Sequence, residues 1–376
     1  MQEERIDLAI IGAGILGASA AYLVNRLKPE WRIVLIDRSL AGQGATQHSV
    51  GLCLPYGHTE LNQRLAVFSS VLFEQIRLEI PDLPLYSIPI YTINRRENAA
   101  RLISCFTDKS CRIGDRADEA VLRRSYPDLV LSKDEVVLAG CDASYGFPQS
   151  ITSLMISRLK QNETFSCWEG TEIKDVVPQG KGFSLLAADG RQFDTDRVLS
   201  ATGPWLLHGP GKETVRNAAV RIKKVAALHV EKRPPADAPV LYFFDHDAFL
   251  LPVRQQQRWL YSFRSNEWDC APEISRLGIS AGDRILALGI LQKYCPSLVQ
   301  HCNGGRVFCD AYGVDRRPLF SRACGLKNWV LAGAGAGSGF RLAPGIAREA
   351  LLQFSDFVEP NDHSLVEVEN QFAEVS

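Results

Sequence analysis

The narrowest constraint on this chain is a spacing of glycines. Gly12-Ala13-Gly14-Ile15-Leu16-Gly17 stands between the apolar run Arg5 to Ile11, which reads as a buried parallel strand, and the helix-patterned run Ile15 to Leu27. Each glycine has a mechanical reason: the first makes a tight turn, the second lets a pyrophosphate approach the backbone, and the third lets the helix lie close on the sheet. Free amides and the helix dipole then favour phosphate charge at that point. Lys28-Pro29 ends the helix pattern, and a second apolar run, Trp31 to Ile36, closes at Asp37, twenty residues beyond Gly17. A carboxylate there accepts hydrogen bonds from ribose hydroxyls and disfavours a 2′-phosphate. Strand, turn, helix, strand and terminal acid form a βαβ unit that binds a dinucleotide, and the motif alone does not separate FAD from NAD.

Composition removes several function classes. The 376 residues carry 42 basic and 43 acidic side chains, a formal net charge of -1, so no global field favours nucleic acid or an anionic membrane surface. The early apolar stretch Leu8 to Val24 is broken by its glycines and lacks the charged flank of a signal peptide, and no run is long enough to span a bilayer. The expectation is a cytoplasmic protein with no integral membrane segment. Ten scattered cysteines without a Cys-x-x-Cys pair read as reduced thiols, with no metal site.

Further along, periodicity predicts a helix over Leu61 to Ile80, a strand over Tyr86 to Asn94 and a charged helix over Asp115 to Tyr126. The mixed pattern from Pro81 to Ser144 reads as a separate lobe. A helix over Ile151 to Gln161 precedes a meander of Thr171 to Val177, Gly182 to Ala188 and Gln192 to Asp196, after which Arg197 to Ala201 returns as a core strand. Val220 to Val230, Val240 to Phe244, Phe249 to Val253 and Arg258 to Phe263 read as consecutive antiparallel strands, followed by a helix over Ala281 to Tyr294. The strand Trp329 to Leu331 runs into a glycine loop, Ala332 to Gly339, and a helix from Pro344 to Phe354.

Three segments outside the fingerprint carry a family resemblance. They are Ala41-Gly42-Gln43-Gly44-Ala45-Thr46-Gln47-His48-Ser49-Val50-Gly51-Leu52, Val198-Leu199-Ser200-Ala201-Thr202-Gly203-Pro204-Trp205, and Gly333-Ala334-Gly335-Ala336-Gly337-Ser338-Gly339-Phe340-Arg341-Leu342-Ala343-Pro344. In this order they resemble the D-amino-acid oxidase family of FAD-dependent oxidoreductases, with an arrangement most similar to glycine oxidase, sarcosine oxidase and D-arginine dehydrogenase. The resemblance implies an α/β (α+β) two-domain fold: a Rossmann-like FAD-binding domain (1–80, 145–218 and 306–376) with an inserted substrate domain built on an antiparallel sheet (81–144 and 219–305). It also implies FAD as cofactor. The implied binding set is Gly12, Gly14, Ile15, Leu16, Gly17, Asp37 and Arg38 at the fingerprint, then Ala45, Thr46, Val50, Gly51 and Leu52. Ile173 falls on the adenine side, followed by Ala201, Thr202, Gly203 and Trp205, and by Gly335, Gly337, Ser338, Gly339, Phe340 and Arg341 at the flavin.

The chemistry implied is oxidation of a C–N bond in an amino acid or secondary amine, by hydride transfer to flavin N5, where geometry and charge placement do most of the work. Arg341, after Gly339-Phe340, is the candidate to hold a substrate carboxylate. A second arginine, set by many relatives in a Gly-x-Arg-Pro segment, falls by a gap-free count on Asp310, and only a shorter loop brings Arg317-Pro318 there. An acid at 310 makes a plain α-amino acid less suited, and such an acid either pairs with Arg341 or binds a cationic group. Phe249 lies where relatives place a tyrosine over the substrate. His48, Tyr56 and His58 flank the flavin loop as candidates to set amine protonation or line the pocket. Cys309 lies near the position of a covalent flavin link, offset by one residue, so a non-covalent cofactor is expected. Partners follow: a small-molecule amine or amino acid, no nucleic acid, and either a homo-oligomer or a partner dehydrogenase subunit. The competing readings are a flavoprotein subunit of a heteromeric dehydrogenase, a specialised biosynthetic amine-oxidising enzyme, and an NAD-dependent dehydrogenase, the last giving the C-terminal glycine loop no role.

Overall fold

Alternation along the first strand sets the architecture. In Ile6–Ile11, Leu8 and Ile10 belong to one core and Ala9 and Ile11 to another, all buried, as in a parallel strand covered on both faces. The computed structural model describes residues 5–357, so residues 1–4 and 358–376 of the expected cofactor domain lie outside the described residues.

In the first sheet the strands run in the order Leu319–Arg322, Trp329–Gly333, Gln192–Ser200, Ile6–Ile11, Ile33–Ile36 and Phe165–Trp168. Four of the five pairings on this path are parallel, the exception being that of Leu319–Arg322 with Trp329–Gly333: Ile6–Ile11 lies between Gln192–Ser200 and Ile33–Ile36, and Trp329–Gly333 lies beyond Gln192–Ser200. Thus the chain's first and last core strands flank one strand from its middle. Helices Ile15–Leu27, Glu60–Glu79, Pro148–Leu159 and Gly339–Leu351 bury their apolar stripes against the Leu8 and Ile10 face. On the other face, Ile173–Gln179 and Gly182–Ala187 form a hairpin that pairs with the first half of Gln192–Ser200.

The second sheet has the order Cys302–Tyr312, Arg221–Val230, Arg258–Phe263, Ala248–Val253, Val240–Phe243, Leu85–Arg95, Glu135–Gly146 and Leu52–Cys53. Every pairing on this path is antiparallel except that of Val240–Phe243 with Leu85–Arg95. Helices Arg116–Ser125 and Ala281–Tyr294 cover one face of the sheet. The Lys224 ammonium, 1% exposed, is drawn inward because it meets Asp283 at 2.6 Å, Glu267 and the Gly278 carbonyl. Asp283 also closes the capping box with Ser280 that starts Ala281–Tyr294.

Several expectations need correction. The two long strands of the segment from Pro81 to Ser144 join the second sheet through a parallel pairing with Val240–Phe243, an exception to the antiparallel sheet expected there. Arg221–Val230 skips its sequence neighbour and pairs with Arg258–Phe263 and Cys302–Tyr312. Gln192 to Asp196 and Arg197 to Ala201 are one strand whose halves have different neighbours, the hairpin first and Trp329–Gly333 second. The last helix begins at Gly339, five residues before Pro344. Beside the internal proline, the Gly345 N–H donates to Ser69 Oγ on the facing helix at 3.0 Å. All ten cysteines are free, and among the described residues no helix is long and apolar enough to cross a membrane.

Candidate active site

The carboxyl ends of the parallel strands open onto one cavity of about 480 Å³, the side on which ligands bind such sheets. Gly12, Gly14, Ile15 and Leu16 form its floor. Gly12 has φ +109°, and a Cβ there would strike the Ala201 carbonyl. Gly17 does not line the cavity: it lets the helix seat, since a Cβ would collide with the Gly12 carbonyl. Ile15 N–H, at the helix start, donates to Thr46 Oγ1 at 3.1 Å, which brings the 44–46 turn over the same amides.

Asp37 accepts from Ala13 N at Oδ2 and Ser39 N at Oδ1, both at 2.8 Å. Burial raises its pKa, against the pull of these two amides and Arg38. Arg38 lies over the Trp205 ring at 4.5 Å, and both line the cavity. Ala45, Thr46, Ile173, Ala201, Thr202 and Gly203 complete this end, while Gly335, Gly337, Gly339 and Phe340 close the far end. Val50, Gly51, Leu52, Ser338 and Arg341, expected at the cofactor, do not line the cavity.

Asp310 enters that far end from Cys302–Tyr312 and faces the C-terminal glycine loop. Its Oδ2 accepts from Gly337 N at 2.7 Å and its Oδ1 from Ala311 N at 2.8 Å, yet burial pushes its pKa up to about 6. It is not the partner of Arg341. That guanidinium donates to the Leu54 carbonyl at 3.2 Å, to the Tyr56 carbonyl and to Ser338 Oγ at 2.9 Å, with burial lowering its pKa. Its three hydrogen bonds clamp the loop after Leu52–Cys53 to the start of the last helix.

Around this clamp the remaining candidates form a polar and aromatic chain that does not line the large cavity. Tyr56 Oη lies 2.6 Å from His58 Nδ1, and His58 Nε2 lies 3.2 Å from Arg316 Nη1. Arg316 reaches Asp247 at 3.7 Å, and Asp247 accepts from Tyr242 Oη at 3.2 Å. Phe249 packs edge-on against Tyr242. Burial, then Arg316, lowers the His58 pKa, and burial raises that of Tyr56. His48 stands apart, stacked on Phe308 with centroids 6.5 Å apart and its pKa lowered by burial and by Arg306. Cys309 points away from the cavity and donates weakly to the Ala271 carbonyl. Among the described residues no His, Cys, Asp and Glu cluster suited to a metal occurs.

Sequence reading missed Phe308 and Ser49 on the wall and Tyr242, Asp247 and Arg316 in the chain beside it. Phe308 shares a face with Asp310 two residues on, but that follows only once Cys302–Tyr312 is known to be a strand, which its polar start conceals. Asp247 and Arg316 come together from two turns, and no periodicity announces that meeting.

A βαβ glycine floor, an acid at the second strand end and a glycine loop from the far end of the chain, all on one cavity, define a dinucleotide-binding oxidoreductase. The family model described as FAD dependent oxidoreductase matches residues 7–351, and the chain belongs to this DAO family. Its cofactor is therefore FAD, which the glycine floor and the Asp37 carboxylate fit. L-proline dehydrogenase from P. horikoshii shares the fold with a TM-score of 0.79 at 16% identity, over 98% of each chain. Glycine oxidase from Geobacillus kaustophilus does so with a TM-score of 0.75 at 16% identity, over 96% of this chain and 98% of that one. A probable malate:quinone oxidoreductase from Chromohalobacter salexigens is 25% identical over 240 residues, 53% of this chain and 46% of that protein. The chain thus spans about half the length of that curated relative.

Proposed function

We propose that the chain is an amine-oxidising member of its family, acting as oxidase or dehydrogenase on the C–N bond of an amino acid or secondary amine. Bound FAD supplies the two-electron acceptor. The observation that carries the reading is the Asp310 carboxylate in the wall of the cavity, at the end closed by the Gly335 to Gly339 loop. A carboxylate in this wall attracts a cationic group and repels an anionic one, so within that class it favours a secondary amine or an amino acid with a cationic side chain over a plain α-amino acid. Ionised Asp310 pairs with the ammonium group of an arriving amine and accepts the proton that the nitrogen sheds before its neighbouring C–H bond is oxidised. Gly337 N–H and Ala311 N–H hold the carboxylate in place for this. Arg341 positions the 54–56 loop, which brings Tyr56 and His58 toward the substrate side with Phe249 and Tyr242 as aromatic cover. In this division, 1–80, 145–218 and 306–376 hold the cofactor and lend Asp310, Tyr56 and His58 to the substrate, which 81–144 with 219–305 cover.

The likeness to a probable malate:quinone oxidoreductase points to the competing donor, an α-hydroxy dicarboxylic acid. Such a dianion would meet like charge at Asp310, which argues against it. Anaerobic mixing of the flavin-loaded protein with a panel of amines, amino acids and α-hydroxy acids separates the two by loss of the oxidised flavin absorbance. Amines are expected to bleach the flavin, and Asp310→Asn to slow the bleaching by roughly 10²–10⁴-fold. Bleaching by α-hydroxy acids alone overturns the proposal.

A further inference from the structure

A second cleft, of about 460 Å³, opens beside the cofactor cavity and shares a wall with it. Ser49 and Phe308 line the cavity, while His48 and Arg306, their neighbours, line the cleft. The pattern follows from the strand: Arg306, Phe308 and Asp310 project from the same face of Cys302–Tyr312. The charged lining of the cleft is wholly basic. Arg306 Nη1 donates to the Ser49 carbonyl at 3.3 Å and Arg284 Nη2 to the Cys302 carbonyl at 3.0 Å, and among the described residues neither forms an ion pair with a carboxylate. Two imidazoles add unused capacity, since His48 Nε2 in the lining and His229 Nε2 near Gly304 are buried without a hydrogen-bond partner. The next cation inward, Arg258, is already matched by Glu231 at 3.1 Å. Half-buried guanidinium groups met only by neutral carbonyls remain electrostatically uncompensated.

We propose that this cleft binds a compact polyanion, a phosphate or a clustered di- or tricarboxylate, held by Arg306 and Arg284 with His48 as hydrogen-bonding partner. Planar guanidinium forks take phosphate and carboxylate oxygens two at a time, and no acid in the lining opposes them. The site regulates rather than reacts. Arg306 is tied to Ser49 and His48 is stacked on Phe308, so an anion seated here presses on two residues of the cofactor cavity wall. The inference does not rest on the amine reading of the neighbouring cavity.

Calorimetric titration of the FAD-loaded protein with inorganic phosphate and, separately, with citrate tests it, at ionic strength fixed by sodium chloride and with the flavin spectrum recorded at each addition. Saturable binding of at least one probe is expected, weakened roughly tenfold or more in both Arg306→Gln and Arg284→Gln while flavin content and melting temperature stay unchanged. Binding of phosphate alone assigns a phosphate ligand, and binding of citrate alone a carboxylate ligand. Absence of saturable binding by either probe, or binding that survives both substitutions, overturns the proposal. Should Arg306→Gln fail to fold, Arg284→Gln decides the matter, because Arg284 projects from a helix and belongs to no strand pairing.

Discussion

Two amides lower the Asp310 pKa, but burial outweighs them and leaves it at about 6. The folded value lies above the ordinary one, so folding favours the neutral form. The stabilisation from that form is complete below about pH 4 and is lost as pH rises through 6. A difference of about two pH units corresponds to about 3 kcal/mol. In chemical denaturation between pH 4 and pH 8, the stability of the native protein minus that of Asp310→Asn is expected to fall by up to about 3 kcal/mol. A pH-independent difference refutes the role given to burial. The residue itself was legible, since counting back from the C-terminal loop lands on it. Its partners were not, because Gly337 lies far along the chain and the Arg341 that the spacing offered is occupied by backbone carbonyls instead.

At the level of elements, the helix Gly339–Leu351 shows how a proline misleads a sequence reading. Pro344 marks a helix start by local rules, but the helix begins at Gly339 beside the cavity, and next to the proline the Gly345 N–H donates to Ser69 Oγ. Ser69→Ala leaves that N–H buried and unpaired and is expected to cost about 1–3 kcal/mol, read as a shift in the denaturation midpoint. Lys224 fastens the helix Ala281–Tyr294 to the second sheet, so Lys224→Ala, which strands Asp283 without its cation, is expected to cost about 3–5 kcal/mol. The helices and inner strands were readable because their apolar periods are clean. The edge strand Cys302–Tyr312 was not, since its polar Asn303-Gly304-Gly305-Arg306 start reads as loop and only pairing with Arg221–Val230 makes it a strand. Glu135–Gly146 hid because Val136 to Ala139 are all buried, so its alternation starts only at exposed Gly140 and Asp142.

Across the whole molecule, the cofactor cavity draws on residues 12–16, 37–46, 201–205 and 333–340 together. Loading with FAD is therefore expected to protect all four stretches from amide hydrogen exchange in step. With free cofactor at 1,000 times its dissociation constant the added stability is about 4 kcal/mol. Gly12→Ala, whose added methyl strikes the Ala201 carbonyl at a left-handed turn, is expected to elute from gel filtration stripped of flavin. Protection confined to the fingerprint would separate the two ends and remove the shared site.

The placement of Trp329–Gly333 beside Gln192–Ser200, with Ile6–Ile11 on the far side, has a temporal meaning. A polypeptide emerging from the ribosome displays its fingerprint early, but the opposing wall is still unsynthesised. The pocket is complete only once residues through Ile346 have cleared the exit tunnel, so the fingerprint alone cannot close around the flavin.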